Sequence, residues 1–305
     1  MTERQAAARP DLSGNLRGMA WMFLATMLFA SMHACVRQVT QDLDPLIVAF
    51  FRNFFGLAVI LPILLRTGMA PLKTKRLGLL ILRAAINVVA MLTFFYALSM
   101  TPLADVAALG FTAPVFATLL AMIVLGERVH LRRWTAILLG FAGTFVILRP
   151  GFETVSMGEL LVLISALAWS IALIIIKVLG RTESALMITI YMVLLMAPLS
   201  LVPAAFVWRW PVGLEWLWLI AIGALGSFAQ LTMTQSLKEG ETQVVMPLDF
   251  FKLIWAALIG YFAFAEVPDI FVWLGGVMIF ASAFYIATRE SQLNRQAVKD
   301  LAGPT

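Results

Sequence analysis

Long apolar runs broken by short polar links divide the chain into ten stretches, near residues 18–39, 44–66, 77–98, 103–125, 132–149, 157–179, 184–207, 214–236, 243–264 and 270–288. Each is close to the ~20 helical residues, at ~1.5 Å of rise apiece, that cross a ~30 Å hydrocarbon layer. No stretch shows the period-two alternation of a barrel strand. The links are too short to hold a soluble domain, and they make successive helices antiparallel. The pattern therefore predicts an all-α integral membrane protein with ten transmembrane helices.

Lys and Arg positions orient the spans. With the N-terminus inside, the inward segments collect Arg4, Arg9, Arg17, Arg66, Lys73, Lys75, Arg76, Arg128, Arg132, Arg133, Arg181, Lys238, Arg289, Arg295 and Lys299, whereas the outward loops hold only Arg149 and Arg209. Such a bias puts both termini in the cytosol and requires an even number of spans. The expected setting is a bacterial-type inner membrane. Composition agrees, with 62% hydrophobic and 13% charged residues and a mean hydropathy of +0.94. The net charge of +5 does not signal nucleic acid, because the basic residues sit in short loops and form no basic face interleaved with aromatics. Membrane lipids are the expected solvent, and a homodimer is left open.

A repeat lies beneath the ten spans. Residues 97–147 align without a gap on residues 236–286, and identical pairs include Val106/Val245, Leu109/Leu248, Phe111/Phe250, Glu127/Glu266, Trp134/Trp273 and Phe141/Phe280. Apolar coincidences are cheap in such a chain; paired Glu and Trp are not. Earlier in each half, Arg37 matches Lys177. The expected organisation is a cytosolic tail over 1–17, a first five-helix repeat over 18–150, a second over 151–288 and a cytosolic tail over 289–305. Five is odd, so the second half enters the membrane inverted, a common design of secondary transporters.

The stretch YALSMTPLADVAALGFTAPVFATLLAMIVLGERVHLRRWTAILLGFAGTFVIL (96–148), with its counterpart at 236–287, resembles the repeat unit of EamA-type transporters of the drug/metabolite transporter superfamily. What carries the likeness is a Pro-containing helix of small residues, a Glu at its end and a glycine-bearing helix after it. The second copy departs in having Ala265 before Glu266. The resemblance implies a central cavity lined by spans 1–4 and 6–9, with spans 5 and 10 more peripheral. It also implies a small-molecule solute, amino-acid-like or cofactor-like (riboflavin or S-adenosylmethionine, for instance).

Positions shared by both repeats, Glu127 with Glu266 and Trp134 with Trp273, read as scaffold, and so do Pro114 and Pro247, each within or near the start of its helix. A carboxylate at a helix C-terminus opposes the macrodipole and needs a partner; nearby backbone N–H groups or the following Trp are the expected ones. Small residues at Ala113, Ala117 and Ala121 suit close helix packing. Positions that break the repeat are the candidates for binding an asymmetric solute. Asp249 stands where the first copy has Gly110, and Lys252 where it has Ala113. A charge at their depth costs at least ~2.5 kcal/mol and should face a partner or water. Their i, i+3 spacing also allows a self-contained ion pair. Arg52, Asn87, Tyr191 and Gln230 join them as substrate-binding candidates, with Ser227 and Thr234 on the face of Gln230. Arg83, nearer a span end, is free to snorkel to the headgroups. Asp249 and His33 are candidates for proton coupling.

Catalysis finds no support. The sequence lacks GxSxG, a phosphate loop and HExxH, and it offers one cysteine and two histidines. No metal or cofactor is expected. The expected function is secondary transport, by alternating access, of an anionic or zwitterionic metabolite. The rivals are a passive facilitator and a non-transporting subunit of a larger complex.

Overall fold

The computed structural model describes residues 12–67, 74, 76–125, 131–149, 154–180, 182–183, 185–240 and 242–301. Among them every element is helical: α1 (Leu12–Val39), α2 (Pro45–Thr67), α3 (Leu77–Met100), α4 (Leu103–Gly110), α5 (Ala113–Leu125), α6 (Leu131–Leu148), α7 (Met157–Leu179), α8 (Ala185–Phe206), α9 (Glu215–Glu239), α10 (Thr242–Val245), α11 (Phe251–Phe264) and α12 (Ile270–Leu301). A 3₁₀ turn, Met246–Phe250, joins α10 to α11. These are the ten expected spans. α4 with α5 forms the fourth, and α10 with α11 the ninth. Gly14–Val39, Leu77–Met100, Leu103–Val124, Met157–Leu179 and Glu215–Glu239 are each long and apolar enough to cross a bilayer, and shorter apolar helices supply most of the rest. Ile123, Phe206 and Phe262 point apolar side chains outward, as a lipid-facing surface requires.

Two spans expected to be continuous are broken. The fourth stops at Gly110 and restarts at Ala113, with Phe111 and Thr112 making turn bonds back to Ala108 and Leu109. Pro114 explains the position, because it has no N–H to give and is tolerated only in the first turn of a new helix. Side chains steady the restart: the Ser170 hydroxyl donates to the carbonyl of Ala113 at 2.7 Å, and Thr118 donates to that of Pro114 at 2.9 Å. In the second repeat Pro247 opens the 3₁₀ turn in the same way. Non-helical backbone at this depth is tolerable because protein surrounds it.

The packing carries an approximate two-fold relation between the repeats. α1 lies along α9, as its counterpart α7 lies along α3; α2 pairs with its own counterpart α8, and α6 with α12. The spans expected to be peripheral, α6 and α12, thus seal against one another. Ser282 donates to the carbonyl of Ala136 at 2.5 Å. At the image position Gly143 meets Gly275, where an added Cβ on Gly275 would sit 2.5 Å from the Gly143 carbonyl oxygen. At the axis the two helix breaks touch: the rings of Phe111 and Phe250, repeat-mates, stand 5.7 Å apart, and Phe280 packs 4.6 Å from Phe250.

This seam makes a prediction. Gly275→Ala pushes a methyl into backbone that has no rotamer to yield, an overpacking cost of about 1–3 kcal/mol. Its thermal midpoint in detergent should fall, whereas Gly78→Ala, with nothing within 4 Å, should leave it unchanged. Equal midpoints for the two would contradict the packing described.

Candidate functional site

Arg52 sits about two turns into α2, and the helix sets its direction. Its neighbour Asn53 is buried and accepts from the Arg52 Nη1 at 3.1 Å. The orientation of Asn53 is itself fixed, because its Nδ2 donates to Ser200 Oγ at 3.1 Å and Ser200 donates to the Met196 carbonyl at 2.7 Å. α8 therefore holds Asn53, and Asn53 holds the guanidinium. On the other side α9 comes close at Gly226, where a Cβ would lie 3.5 Å from Arg52 Nε and 2.7 Å from Met32 Sδ. Any side chain there would crowd the arginine. Between α2, α8 and α9 remains a cavity of about 70 Å³ lined by Arg52, Asn53, Met192, Met196, Ser227 and Gln230, among others.

A second charged group stands nearby. Lys252 Nζ lies 2.5 Å from Asp249 Oδ1 and 5.0 Å from the centroid of the Phe29 ring. Asp249 is in the 3₁₀ turn and Lys252 in the first turn of α11, so the break in the ninth span presents the pair. His33 on α1 is half-buried, 4.9 Å from Phe94 and 6.4 Å from Phe29 between ring centroids. Both Lys252 and Arg52 are near enough to act on it electrostatically. Arg52, Lys252 and His33 thus lie toward one region of the bundle, with the Asp249 carboxylate beside Lys252.

The other candidates sit apart. Asn87 is buried with its Oδ1 unsatisfied, one turn from Arg83. Arg83 does not snorkel: it is buried, donating to the Ile188 carbonyl at 3.0 Å and to Met192 Sδ at 3.3 Å. The polar acceptors on α8 are nearer than the headgroups. Tyr191 packs against Leu80, Ile175, Leu179 and Ile188, away from the Arg52 cavity lining. Trp134 is exposed and Trp273 is partly buried on the core. Glu127 lies outside the described residues.

Glu266 reaches further than the sequence suggested. Instead of holding its own following loop, its carboxylate crosses to the first repeat. Arg37 Nη2 is 2.5 Å from Oε1, and the Leu103 N–H donates to Oε2 at 2.9 Å. Arg37 also donates to the carbonyls of Leu98 and Thr101, at 2.8 and 2.9 Å. One ion pair therefore ties together the ends of α1, α3, α4 and α11. Ala265, which directs this carboxylate, is left-handed with φ 54° and ψ 30°, a region that costs a residue with a Cβ about 1–2 kcal/mol. Ala265→Gly should accordingly raise the unfolding midpoint, by the equivalent of about 1 kcal/mol. A fall would mean that the left-handed turn is not formed.

Three features escaped the sequence reading. Asn53 carried the right signal, a polar residue deep in an apolar span, but Arg52 beside it drew the attention. Ser200 looked like any small residue of a lipid-soluble helix. The Arg37–Glu266 bond joins groups from opposite halves, and no spacing reveals it.

The EamA-like transporter family model matches residues 16–149 and again 156–288. A riboflavin transporter of Vibrio cholerae is 30% identical over 92% of this chain and 96% of its own. An S-adenosylmethionine uptake transporter of Rickettsia felis is 28% identical over 91% of this chain and 94% of its own. A pseudopaline exporter of Pseudomonas aeruginosa is 27% identical over 86% and 93%. One crystal structure superposes with a TM-score of 0.60 at 19% identity, covering 91% of this chain and 98% of its own, a likeness of fold.

Proposed function

Since the chain belongs to the EamA-like transporter family, and is thus a multi-pass membrane transporter of small metabolites rather than an enzyme, we propose that it moves an anionic or zwitterionic organic solute by alternating access. The observation that carries this reading is the meeting of two broken helices, one from each repeat, beside half-buried charges, Asp249 and Lys252, that only the second repeat supplies. Two similar bundles of opposite orientation can pack in two related ways, one open to each side. Breaks at Phe111–Thr112 and Met246–Phe250 provide places to bend.

In this reading Arg52, Gln230, Asp249 and Lys252 contact the solute. Asn87 and Tyr191 belong to the surrounding wall. Asp249, with His33 close to its partner Lys252, is where a proton would couple. In this reading the setting is the inner membrane, and the excess of Lys and Arg in the inward loops supports both termini being cytosolic. The named relatives favour a cofactor-sized, partly aromatic solute over a free amino acid. Phe29, Phe94 and His33 offer ring faces beside the charges for such a body.

The test is counterflow in proteoliposomes holding the purified chain alone, with labelled riboflavin and S-adenosylmethionine among the panel. Uptake accelerated by unlabelled solute on the far side supports a carrier. Flux without such trans-stimulation indicates a passive facilitator. Absence of flux for every solute, from protein that is well folded, indicates a subunit of something larger.

A further inference from the structure

We propose that the cavity at Arg52 is a carboxylate-binding subsite, so that the solute supplies the counter-charge this arginine lacks. The inference rests on the transport reading and narrows it to a chemical group.

The other strong cations described inside the bundle are held differently. Lys252 has Asp249 and Arg37 has Glu266, while Arg83, which also meets no anion and keeps a buried Nε without a partner, donates to a carbonyl and a thioether and does not line this cavity. Arg52 differs. Among the described residues its one hydrogen-bond partner is the neutral side-chain carbonyl of Asn53, which uses a single donor of five. An arginine at this depth without an anion is expensive. Yet the surroundings are built to keep it: Ser200 and Asn53 steady it on one side, and Gly226 clears space on the other. An arrangement that holds a planar fork rigid, and leaves its remaining donors facing a cavity, suits bidentate capture of a carboxylate.

The cavity supports this choice of group. At about 70 Å³ it has room for the terminal carboxylate of a solute and not for a whole metabolite. Ser227 and Gln230 can donate to the carboxylate from the α9 side. Met192, Val193 and Met196 on α8 offer apolar surface to the adjoining carbon atoms.

A ligand pair differing only in charge provides the experiment. Purified protein in neutral detergent is titrated with sodium benzoate and, separately, with benzamide, while the unfolding midpoint is followed. Benzoate should raise the midpoint in a saturable way and benzamide should not. Arg52→Gln should weaken the benzoate response by at least about tenfold, a loss of about one charge-assisted contact. Arg52→Lys should give an intermediate response, keeping the charge and losing the fork. The ligand-free behaviour separates a binding role from a structural one. Arg52→Gln removes an unanswered charge, so ligand-free protein should be as stable as the parent or more so, whereas a structural arginine would leave it less stable. Equal responses to benzoate and benzamide, or an unchanged benzoate response in Arg52→Gln, would overturn the subsite. If solutes are still carried in counterflow after such a result, the carrier reading stands without it. If benzoate binds through Arg52 but no solute shows counterflow, the subsite stands and the carrier reading falls.

Discussion

Glu266→Ala should be the most damaging single substitution made at any of the positions considered. It strands the Arg37 guanidinium, which is only 19% exposed, and it uncovers the first N–H of α4. That helix begins after Pro102, and no side chain of its own caps it, so the carboxylate of the second repeat does the capping for the first. Breaking a buried pair by removing one partner costs about 3–5 kcal/mol. Partial exposure lowers that here to roughly 3 kcal/mol for pair and cap together. Glu266→Gln keeps an acceptor for Leu103 and loses the charge, so it should fall between. The readout is the unfolding midpoint and the yield of monodisperse protein in detergent, in the order wild type, Gln, Ala. Pairing Arg37→Met with Glu266→Ala should cost less than the sum of the two singles, because neither then leaves a lone charge. An alanine variant as stable as the parent would remove the cross-repeat tie from the account.

The second large effect concerns Asp249 and Lys252. Lys252→Met leaves a lone carboxylate within the ninth span, a penalty of at least about 2.5 kcal/mol. Asp249→Asn should be milder, since the ammonium keeps the face of Phe29. The double change removes both charges and should recover most of the stability. Transport decides what the pair is for. If the ions serve only each other, the double variant will carry solute at the parental rate. If they contact solute or proton, it will fold well and carry little. Proteoliposome counterflow on the two singles and the double, scaled to folded protein, distinguishes these outcomes.

How much of this was visible beforehand depends on which forces act locally. The spans were legible because a bilayer demands a length and an apolarity that each stretch displays on its own. The repeat was legible through Glu127/Glu266 and Trp134/Trp273. Arg52 and Asp249 announced themselves by the cost of a charge at depth. The breaks at Phe111–Thr112 and Met246–Phe250 were only half-visible: Pro114 and Pro247 marked the places, but whether a proline kinks or ends a helix depends on the neighbouring helices packed around it. Pairings between the halves were illegible. Arg37 with Glu266, and Asn53 with Ser200, meet across distances that the chain's order does not encode.

The contact of Phe111 with Phe250 has a consequence for symmetry. A residue that touches its own counterpart is an isologous contact, the kind found on the dyad of a homodimer. Were this molecule two identical five-helix chains inserted in opposite senses, each ionisable group would occur twice, and the Asp249–Lys252 pair would face a copy of itself across the dyad. Joining both halves in one polypeptide lifts that degeneracy. A fused chain can keep glycine and alanine on one side of the dyad while placing an acid and a base on the other.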